Sequence, residues 1–231
     1  MELLLDIGNS RSKACLHNSG NLTEIQLEDI SAEQWLSVNA VYCSSVAADS
    51  RVSALRERVP LAIPFIQIHS EAQAFGITNS YMQPHLLGVD RWLALVAAAE
   101  LYPNLDLLVV DAGTALTIDW LNAAGLHQGG WILAGQKLQQ EAVLSKTAKV
   151  FSAELETEQL SPATDTATAL YQGAIAALVG AIRQAYAIKA AQRIILTGGD
   201  ALLLQKYLSD LPVELESRLI FQGLARYIQP N

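Results

Sequence analysis

The sequence predicts an α/β protein built from two lobes of similar topology. Its main sign is a repeated pattern, in which apolar residues precede Asp, any residue, Gly and a small polar residue, at residues 4–9 and again at residues 109–114. The aspartates of the two copies, Asp6 and Asp111, are 105 residues apart in a chain of 231. Each copy begins a strand–turn–strand unit, and strands and helices then alternate, as in α/β domains. We expect the two lobes to face each other across a cleft.

The length and composition agree with a folded protein of this size. With 231 residues, of which 51% are hydrophobic, the chain can bury a core and is too apolar to be disordered. We expect lobes at residues 1–106 and 107–231. The 15 basic and 23 acidic residues give a net charge of −8, which argues against non-specific binding to nucleic acid or acidic lipids. Phosphate ligands are still allowed, because backbone N–H groups and a metal can hold them.

The cysteine content and the N-terminal residues indicate a cytoplasmic protein. Cys15 and Cys43 lie in predicted strands and outside any Cys-x-x-Cys motif, so we expect two buried thiols. The N-terminal segment contains Glu2 and reaches Asp6 after three leucines, unlike a signal peptide. The most apolar later segment, residues 173–182, is shorter than the ~20 residues of a membrane span. We expect neither a membrane nor a nucleic acid as a partner.

The first half of the chain is predicted to begin with an antiparallel meander. Short apolar runs separated by turn residues predict its three strands, and Ser31 is expected to cap the first helix. The predicted strands are residues 3–7, 13–17, 22–27, 40–46 and 65–69. The predicted helices are residues 31–38, 50–59 and 91–101, and residues 81–87 are expected to form a loop around Pro84.

The second half repeats the meander and then becomes largely helical. The predicted strands are residues 107–110, 116–121, a segment that runs into Gly129-Gly130, and 193–196. The predicted helices are residues 135–150, 166–191, 201–208 and 220–228. Asp165 is a good helix cap, and Glu154, Glu156 and Glu158 are expected to lie in a solvated loop. The stripe Ile175, Leu178, Val179 and Ile182 indicates either core or a dimer face.

The Asp-x-Gly turns indicate phosphate chemistry. A strand fixes the direction of the Asp side chain, and the Gly that follows lets a ligand approach the backbone closely. Side chains at Asn9, Ser10 and Thr114 add donors beside the backbone N–H groups, so each turn can hold phosphate oxygens while its carboxylate holds a metal. An isolated Asp-x-Gly is also an ordinary turn. Two copies, with the pair Gly198-Gly199 after a third strand, favour the phosphate interpretation.

The sequence lacks the signatures of other nucleotide and metal sites. It contains no Gly-Lys-Ser/Thr of a Walker loop, no Gly-x-Gly-x-x-Gly fingerprint and no His-Glu-x-x-His motif. Its four histidines lie far apart in sequence. We therefore expect no histidine metal centre.

Several motifs in a fixed order resemble those of the type III pantothenate kinases. They are Asp6-x-Gly8-Asn9-Ser10, Gly88-Val89-Asp90-Arg91-Trp92, Asp111-Ala-Gly-Thr-Ala-x-Thr117, Gly129-Gly130-x-Ile132-x-x-Gly135, Thr166 seven residues before Gly173, and Thr197-Gly198-Gly199. Together they span most of the chain. Gly-Val-Asp-Arg-Trp and Asp-Ala-Gly-Thr-Ala are specific, because neither is a general nucleotide motif.

The resemblance implies a fold, an activity and its cofactors. It places the chain in the superfamily of acetate and sugar kinases and actin-like ATPases, whose fold is a pair of duplicated ribonuclease-H-like lobes. The implied reaction transfers the γ-phosphoryl group of ATP to the 4′-hydroxyl of pantothenate, the first step of coenzyme A synthesis. Relatives need Mg²⁺ or another divalent metal and a monovalent cation, K⁺ or NH₄⁺. They are homodimers with the substrate site near the subunit interface.

The resemblance also implies roles for individual residues. Asp90 matches the general base, Asp6 the carboxylate near the divalent metal, and Asp111 the acid near the monovalent cation. The expected ATP- and phosphate-binding residues are Asp6, Gly8, Asn9, Ser10, Gly113, Thr114, Gly198 and Gly199. The expected pantothenate-binding residues are Tyr81, Gly88, Asp90, Arg91 and, from the partner subunit, Thr166. Arg91 would pair with the pantothenate carboxylate, whose shape suits a guanidinium.

The chain departs from the family pattern at two positions, and other interpretations stay open. Ser10 stands where threonine is usual, and Ala134 where proline is common. Asp90 and Arg91 could simply begin a helix, with Arg91 solvated, and Tyr81 could pack a loop. Besides the kinase, the alternatives are a non-catalytic relative that binds nucleotide or a partner, another small-molecule kinase, and an actin-like filament protein. Retention of the three acids disfavours the non-catalytic relative.

Overall fold

The computed structural model describes residues 1–152 and 160–228 of the chain. The predicted acidic loop with Glu154, Glu156 and Glu158 lies outside these residues. The strands are β1 (Glu2–Ile7), β2 (Ser12–Asn18), β3 (Asn21–Ile25), β4 (Ala40–Ser45), β5 (Phe65–Gln67), β6 (Gln73–Ala74), β7 (Ile77–Thr78), β8 (Leu107–Ala112), β9 (Ala115–Leu121), β10 (His127–Ala134), β11 (Arg193–Thr197) and β12 (Val213–Leu215). The helices are α1 (Ala32–Ser37), α2 (Asp49–Arg56), α3 (Val89–Leu101), α4 (Gln136–Leu144), α5 (Thr166–Ile188), α6 (Ala201–Gln205) and α7 (Leu219–Ala225).

The first unit is built on a five-stranded sheet in the order β3-β2-β1-β4-β5. The central strand β1 pairs antiparallel with β2 and parallel with β4. Leu3, Leu4 and Leu5 on β1 are all at most 2% exposed, so both faces of this strand are covered. An unbroken apolar run is typical of a strand buried in this way, and the run ends at Asp6, near the carboxyl end of the strand.

The second unit repeats this sheet with the order β10-β9-β8-β11-β12. Its central strand β8 pairs antiparallel with β9 and parallel with β11, as β1 does with β2 and β4. Asp6 faces Ser44 on the parallel neighbour, and Asp111 faces Thr197 in the same position of the second sheet. Both hydroxyl residues are buried. The predicted duplication, with one aspartate at the same place in each copy, is therefore confirmed.

The C-terminal helix α7 belongs to the first unit. Contacts divide the chain into Met1–Tyr102 together with the segment from Arg218, and Pro103–Ser217. The sequence prediction instead assigned all of residues 107–231 to the second lobe. The difference arises because α7 packs against α3 and β1 and buries Leu219, Phe221 and Leu224 there.

The core of the second unit forms between its sheet and α5. Ile175, Leu178, Val179 and Ile182 on α5 are at most 6% exposed and pack with strand residues, so of the two interpretations of this stripe the core is the one observed. Asp165 caps the helix by accepting a hydrogen bond from the Thr168 N–H at 2.9 Å. Helix α4 ends at Leu144, earlier than predicted.

Several short elements were not predicted. The hairpin of β6 and β7 and the edge strand β12 have two or three residues each, too few to show a periodic pattern. The two cysteines are free and buried, as expected. Among the described residues, no helix combines the length and apolar character needed to cross a membrane.

Replacing Gly223 by alanine should destabilise the first unit. A Cβ atom at this position of α7 would collide with the Leu93 carbonyl oxygen and lie 2.9 Å from the Leu93 Cβ on α3. We expect Gly223→Ala to lower the free energy of unfolding by about 1–3 kcal/mol, as overpacking does. Chemical denaturation measures the change.

The matched control is Gly180→Ala on α5, where an added Cβ would meet nothing within 4 Å. There the higher helix propensity of alanine should raise the free energy of unfolding by up to about 1 kcal/mol. Equal losses of stability in both variants would contradict close packing of α7 on α3.

Candidate functional site

In the first unit, the candidate site begins at Asp6 near the end of β1. Its Oδ1 accepts a hydrogen bond from the Ser44 hydroxyl at 3.0 Å. Ser44 itself is fully buried on β4, and the parallel register of the two strands places the two side chains side by side. The hydrogen bond therefore fixes the direction of the carboxylate.

The environment of Asp6 disfavours its negative charge. Burial, helped by the charge of Asp90, raises the pKa of Asp6 to about 6, although the hydrogen bond from Ser44 and the charge of Lys13 act to lower it. The effect of Asp90 means that two predicted site residues, 84 positions apart in sequence, lie near each other within the first unit. Two neighbouring carboxylates in a partly buried site favour the presence of a cation.

The turn after β1 exposes the predicted phosphate-binding residues. The Gly8 N–H donates to the Arg11 carbonyl at 2.9 Å, which closes the turn, and a Cβ at Gly8 would lie 3.1 Å from that same oxygen. Asn9 and Ser10 at its tip are exposed. Arg51 on α2 donates from Nη1 to the Asn9 carbonyl at 2.6 Å. Sequence reasoning missed Arg51, because no local pattern marks a contact 42 residues away.

Asp90 lies in the first turn of α3, which begins at Val89, two residues before the predicted start at Arg91. Gly88 is the N-cap residue of this helix, and the Asp90 Oδ1 accepts a hydrogen bond from the Arg91 N–H at 2.7 Å. A Cβ at Gly88 would lie 2.6 Å from that Oδ1, so a residue with a side chain would displace the carboxylate. The glycine therefore leaves space for the orientation of Asp90.

The structure brings Arg91 and Tyr81 together. Arg91 donates from Nη1 to the Tyr81 hydroxyl at 2.8 Å, and its guanidinium carbon lies 5.6 Å from the centre of the Tyr81 ring. Arg91 is only 5% exposed. The alternative of a solvated arginine at a helix start is therefore wrong, and Tyr81 does more than pack a loop.

In the second unit, Asp111 lies against the glycine pair. Gly198 follows Thr197, the residue paired with Asp111 in the sheet, and has a φ of +96°. A Cβ at Gly198 would collide with the Asp111 carboxylate and the Ala112 carbonyl. Only glycine combines this backbone conformation with such a close approach, so the ends of β8 and β11 form one continuous backbone surface beside the carboxylate.

The turn after β8 is also closed by backbone contacts. The Gly113 N–H donates to the Ala115 carbonyl at 3.0 Å, and the Gly135 N–H donates to the Thr114 carbonyl at 2.9 Å. A Cβ at Gly135 would collide with this turn. Thr114 and Gly199 are exposed. Of the predicted phosphate residues of this unit, Gly113 and Gly198 lie beside the Asp111 carboxylate.

Thr166 is the first residue of α5 and is exposed. It belongs to the second unit, whereas Tyr81, Gly88 and Arg91 belong to the first. Its expected contact with pantothenate across a subunit interface stays a prediction.

The residues of the first unit fit a divalent cation that also binds phosphate. Among residues 1–152 and 160–228, no group of three or more His, Cys, Asp or Glu side chains could hold a metal ion alone. Mg²⁺ is usually held by one or two carboxylates and takes its other ligands from water and phosphate oxygens. Asp6 supplies such a carboxylate, and a cation would offset the burial and the nearby charge of Asp90 that raise the pKa of Asp6.

The residues of the second unit could hold a hard cation. The Asp111 carboxylate lies beside the backbone of Gly198 and near the Ala112 carbonyl. Carboxylate and carbonyl oxygens are ligands that hard cations prefer.

Comparison with known proteins identifies relatives over nearly the whole chain. The family model described as type III pantothenate kinase matches residues 2–188. A type III pantothenate kinase from Colwellia psychrerythraea is 36% identical over 248 aligned positions, which cover 98% of this chain and 100% of the relative.

Two solved structures share the fold. A Campylobacter jejuni protein described as a Baf family transcriptional activator has a TM-score of 0.64 at 24% identity, over 98% of this chain and 96% of that one. A 2-dehydro-3-deoxygalactonokinase from Sinorhizobium meliloti has a TM-score of 0.57 at 14% identity, with both chains fully covered. At these identities the likeness shows the fold alone, and the predicted sugar-kinase-like fold is confirmed.

Near neutral pH, and in the absence of added cations, replacing Asp6 by asparagine should stabilise the protein. Folding raises the pKa of Asp6 to about 6, so the protonated carboxyl favours the folded state. This contribution to the free energy of unfolding is fully present below the pKa of the unfolded state and is lost as pH rises through 6. We expect Asp6→Asn to raise the free energy of unfolding by about 1–3 kcal/mol at pH 7.5 and to have little effect at pH 4.

Chemical denaturation in the presence of a chelator at the two pH values tests this expectation. An equal effect of Asp6→Asn at both pH values would contradict the raised pKa. Asp29→Asn, which changes an exposed carboxylate of the same unit, is the matched control.

Proposed function

The chain belongs to the type III pantothenate kinase family; it is an enzyme of coenzyme A biosynthesis that phosphorylates pantothenate with ATP, and we propose that Asp90 is the general base of this transfer. The observation that best supports this role of Asp90 is its electrostatic effect on Asp6. It indicates that the proposed base lies beside the carboxylate proposed to face the metal and the phosphates.

The role of Asp90 follows from the needs of phosphoryl transfer. This reaction depends mainly on the position of the reactants and on neutralisation of charge, and a carboxylate can orient a hydroxyl and accept its proton. The Arg91 N–H holds the Asp90 carboxylate in one orientation. Asp90 would take the proton of the 4′-hydroxyl as the hydroxyl oxygen attacks the γ-phosphorus of ATP, while the bond from that phosphorus to the β–γ bridging oxygen breaks and ADP leaves.

The two Asp-Gly turns would bind the phosphates of ATP. In the first unit Asn9 and Ser10 would supply donors while Gly8 shapes the turn, and Arg51 holds the Asn9 carbonyl and adds positive charge. In the second unit Thr114 would supply donors while Gly113 shapes the turn, with Gly198 and Gly199 near the nucleotide. Backbone N–H groups in such turns bind anions at little cost in flexibility.

The acidic residues would act together with cations. Asp6 would hold Mg²⁺ and Asp111 would hold K⁺ or NH₄⁺. When bound, the divalent cation neutralises phosphate charge that the bare carboxylates would repel. Because burial raises the pKa of Asp6, a cation beside it would also stabilise the charged carboxylate.

Pantothenate would bind at the start of α3. The buried Arg91 guanidinium suits the pantothenate carboxylate, and the Tyr81 hydroxyl fixes the position of that guanidinium. Because Gly88 has no Cβ atom, its backbone leaves room for the Asp90 carboxylate. We further propose that the enzyme is a cytoplasmic homodimer in which Thr166 of the partner subunit completes this pocket.

Replacing Asp90 by asparagine should abolish most turnover. The amide cannot accept the hydroxyl proton, so we expect kcat to fall by about 100-fold or more, with little change in the melting temperature. A coupled kinase assay with ATP, Mg²⁺, K⁺ and pantothenate measures the rate.

The matched control is Glu33→Gln, which changes an exposed carboxylate in the first turn of α1. It should retain the rate of the original protein. Undiminished turnover of Asp90→Asn would remove Asp90 as the base, whereas no phosphorylation of pantothenate by the unchanged protein would reject the substrate.

Turnover should depend on K⁺ through Asp111. Without a monovalent cation, Asp111 would repel the phosphates, so we expect the rate in Na⁺-free, K⁺-free buffer to be low. Asp111→Asn should raise the K⁺ concentration that gives half of the maximal rate, by about tenfold for a lost charge contact. A titration with KCl at constant ionic strength tests this, and an unchanged K⁺ requirement in the variant would reject the assignment.

A further inference from the structure

A network of hydrogen bonds includes the pair Tyr81 and Arg91 in the first unit. Trp92, which follows Arg91 on α3, bonds to Tyr227, and Tyr227 bonds to the Glu71 side chain. Asn79 bonds to the Glu71 carbonyl and to the Tyr81 N–H. The residues of the network are Glu71, Asn79, Tyr81, Arg91, Trp92 and Tyr227. None of its members beyond Tyr81 and Arg91 was singled out as a binding residue by the sequence motifs.

Tyr227 is the junction of this network. Its hydroxyl accepts a hydrogen bond from the Trp92 indole Nε1 at 2.8 Å and donates one to the Glu71 carboxylate at 2.6 Å. Trp92 is fully buried, so its N–H needs an acceptor inside the protein. Because Trp92 follows Arg91 directly, this bond fixes the first turns of α3.

Asn79 carries the connection from Glu71 to Tyr81. Its side-chain amide donates to the Glu71 carbonyl and to the Pro84 carbonyl, both at 3.1 Å. Its Oδ1 accepts a hydrogen bond from the Tyr81 N–H at 3.0 Å. The backbone of Tyr81 is thereby tied to the same segment that Tyr227 holds, while its hydroxyl meets Arg91.

A second set of contacts holds the neighbouring hairpin to the same tyrosine. Phe75 and Gly76, between β6 and β7, have φ angles of +52° and +78°. A phenylalanine rarely adopts this conformation unless its surroundings hold it there. Its ring packs edge-on against the Tyr227 ring at 4.9 Å between centroids, and the Arg226 guanidinium carbon lies 5.4 Å from the ring centre.

We propose that Tyr227 is a positioning residue for pantothenate binding, which aligns Tyr81 with Arg91 through its hydrogen bonds to Glu71 and Trp92. This inference rests on the proposed pantothenate-binding roles of Tyr81 and Arg91. The two residues belong to different segments, a loop and a helix. The Tyr227 hydroxyl bonds to both segments, so its loss leaves the direct bond between Arg91 and Tyr81 with less support.

The test uses the full-length enzyme and three variants of the network. Tyr227→Phe keeps the ring that packs on Phe75 and removes only the hydroxyl. Glu71→Ala breaks the bond from the loop side at an exposed position, so it tests the network without disturbing the core. Glu71→Gln keeps an acceptor for the Tyr227 hydroxyl and serves as the conservative rescue.

We expect Tyr227→Phe and Glu71→Ala to raise the KM for pantothenate by about fivefold to tenfold, the effect of one displaced hydrogen bond. The KM for ATP and kcat should change by less than about twofold. Glu71→Gln should keep a KM for pantothenate close to that of the original protein. Tyr186→Phe, which removes the hydroxyl of a partly buried tyrosine on α5, is the matched control and should leave all three constants unchanged.

A fall in melting temperature with an unchanged KM for pantothenate, in Tyr227→Phe and in Glu71→Ala, would show a merely structural role and overturn the proposal. Tyr81→Phe separates this failure from failure of the proposed function. If Tyr81→Phe raises the KM for pantothenate and the two network variants do not, only the positioning role is wrong. If Tyr81→Phe has no effect, the assigned pantothenate pocket is wrong and the positioning role falls with it.

Discussion

The burial of a carboxylate near the end of a central strand is the constraint on which the first unit depends. The apolar residues of β1 are buried on both faces of the sheet. Asp6 follows them on the same strand, and its burial disfavours the negative charge. Ser44 stabilises one orientation of this carboxylate but does not neutralise it. The nearby charge of Asp90 increases the cost. Such a site is suited to ligands that bring their own cation, because metal and phosphate together satisfy the acid that the fold leaves charged.

In the second unit, the corresponding carboxylate lies against the backbone of the neighbouring strand end. Asp111 occupies the same position in its sheet as Asp6, but its neighbour on the parallel strand is followed by Gly198. The positive φ and the absence of a Cβ atom let the end of β11 lie directly against the carboxylate. Each acid faces a buried hydroxyl residue on the parallel strand, Ser44 in the first unit and Thr197 in the second, and the second unit adds a close backbone beside its acid. This difference agrees with the different cations that we assign to the two units.

Helix α3 connects the stability of the first unit to its chemistry. One face of this helix is closed by α7, where Gly223 permits close contact with Leu93. Its first turn carries Asp90 and Arg91, and Trp92 links that turn to Tyr227. A net charge of −8 across the chain is therefore less informative about ligands than the local arrangement, in which a buried arginine and two acids have defined partners.

The sequence by itself determined the features that depend on neighbouring residues. The repeated Asp-x-Gly pattern predicted the duplicated sheets, and the residues after Asp90 predicted the helix that begins near this acid. Tertiary structure alone decided that α7 packs with the first unit, that Arg51 reaches the turn at Asn9, and that Tyr227 joins Glu71 to Trp92. These contacts link residues 42 to 156 positions apart. Strand and turn patterns arise from interactions along the chain, whereas such contacts form only when packing has brought distant side chains together.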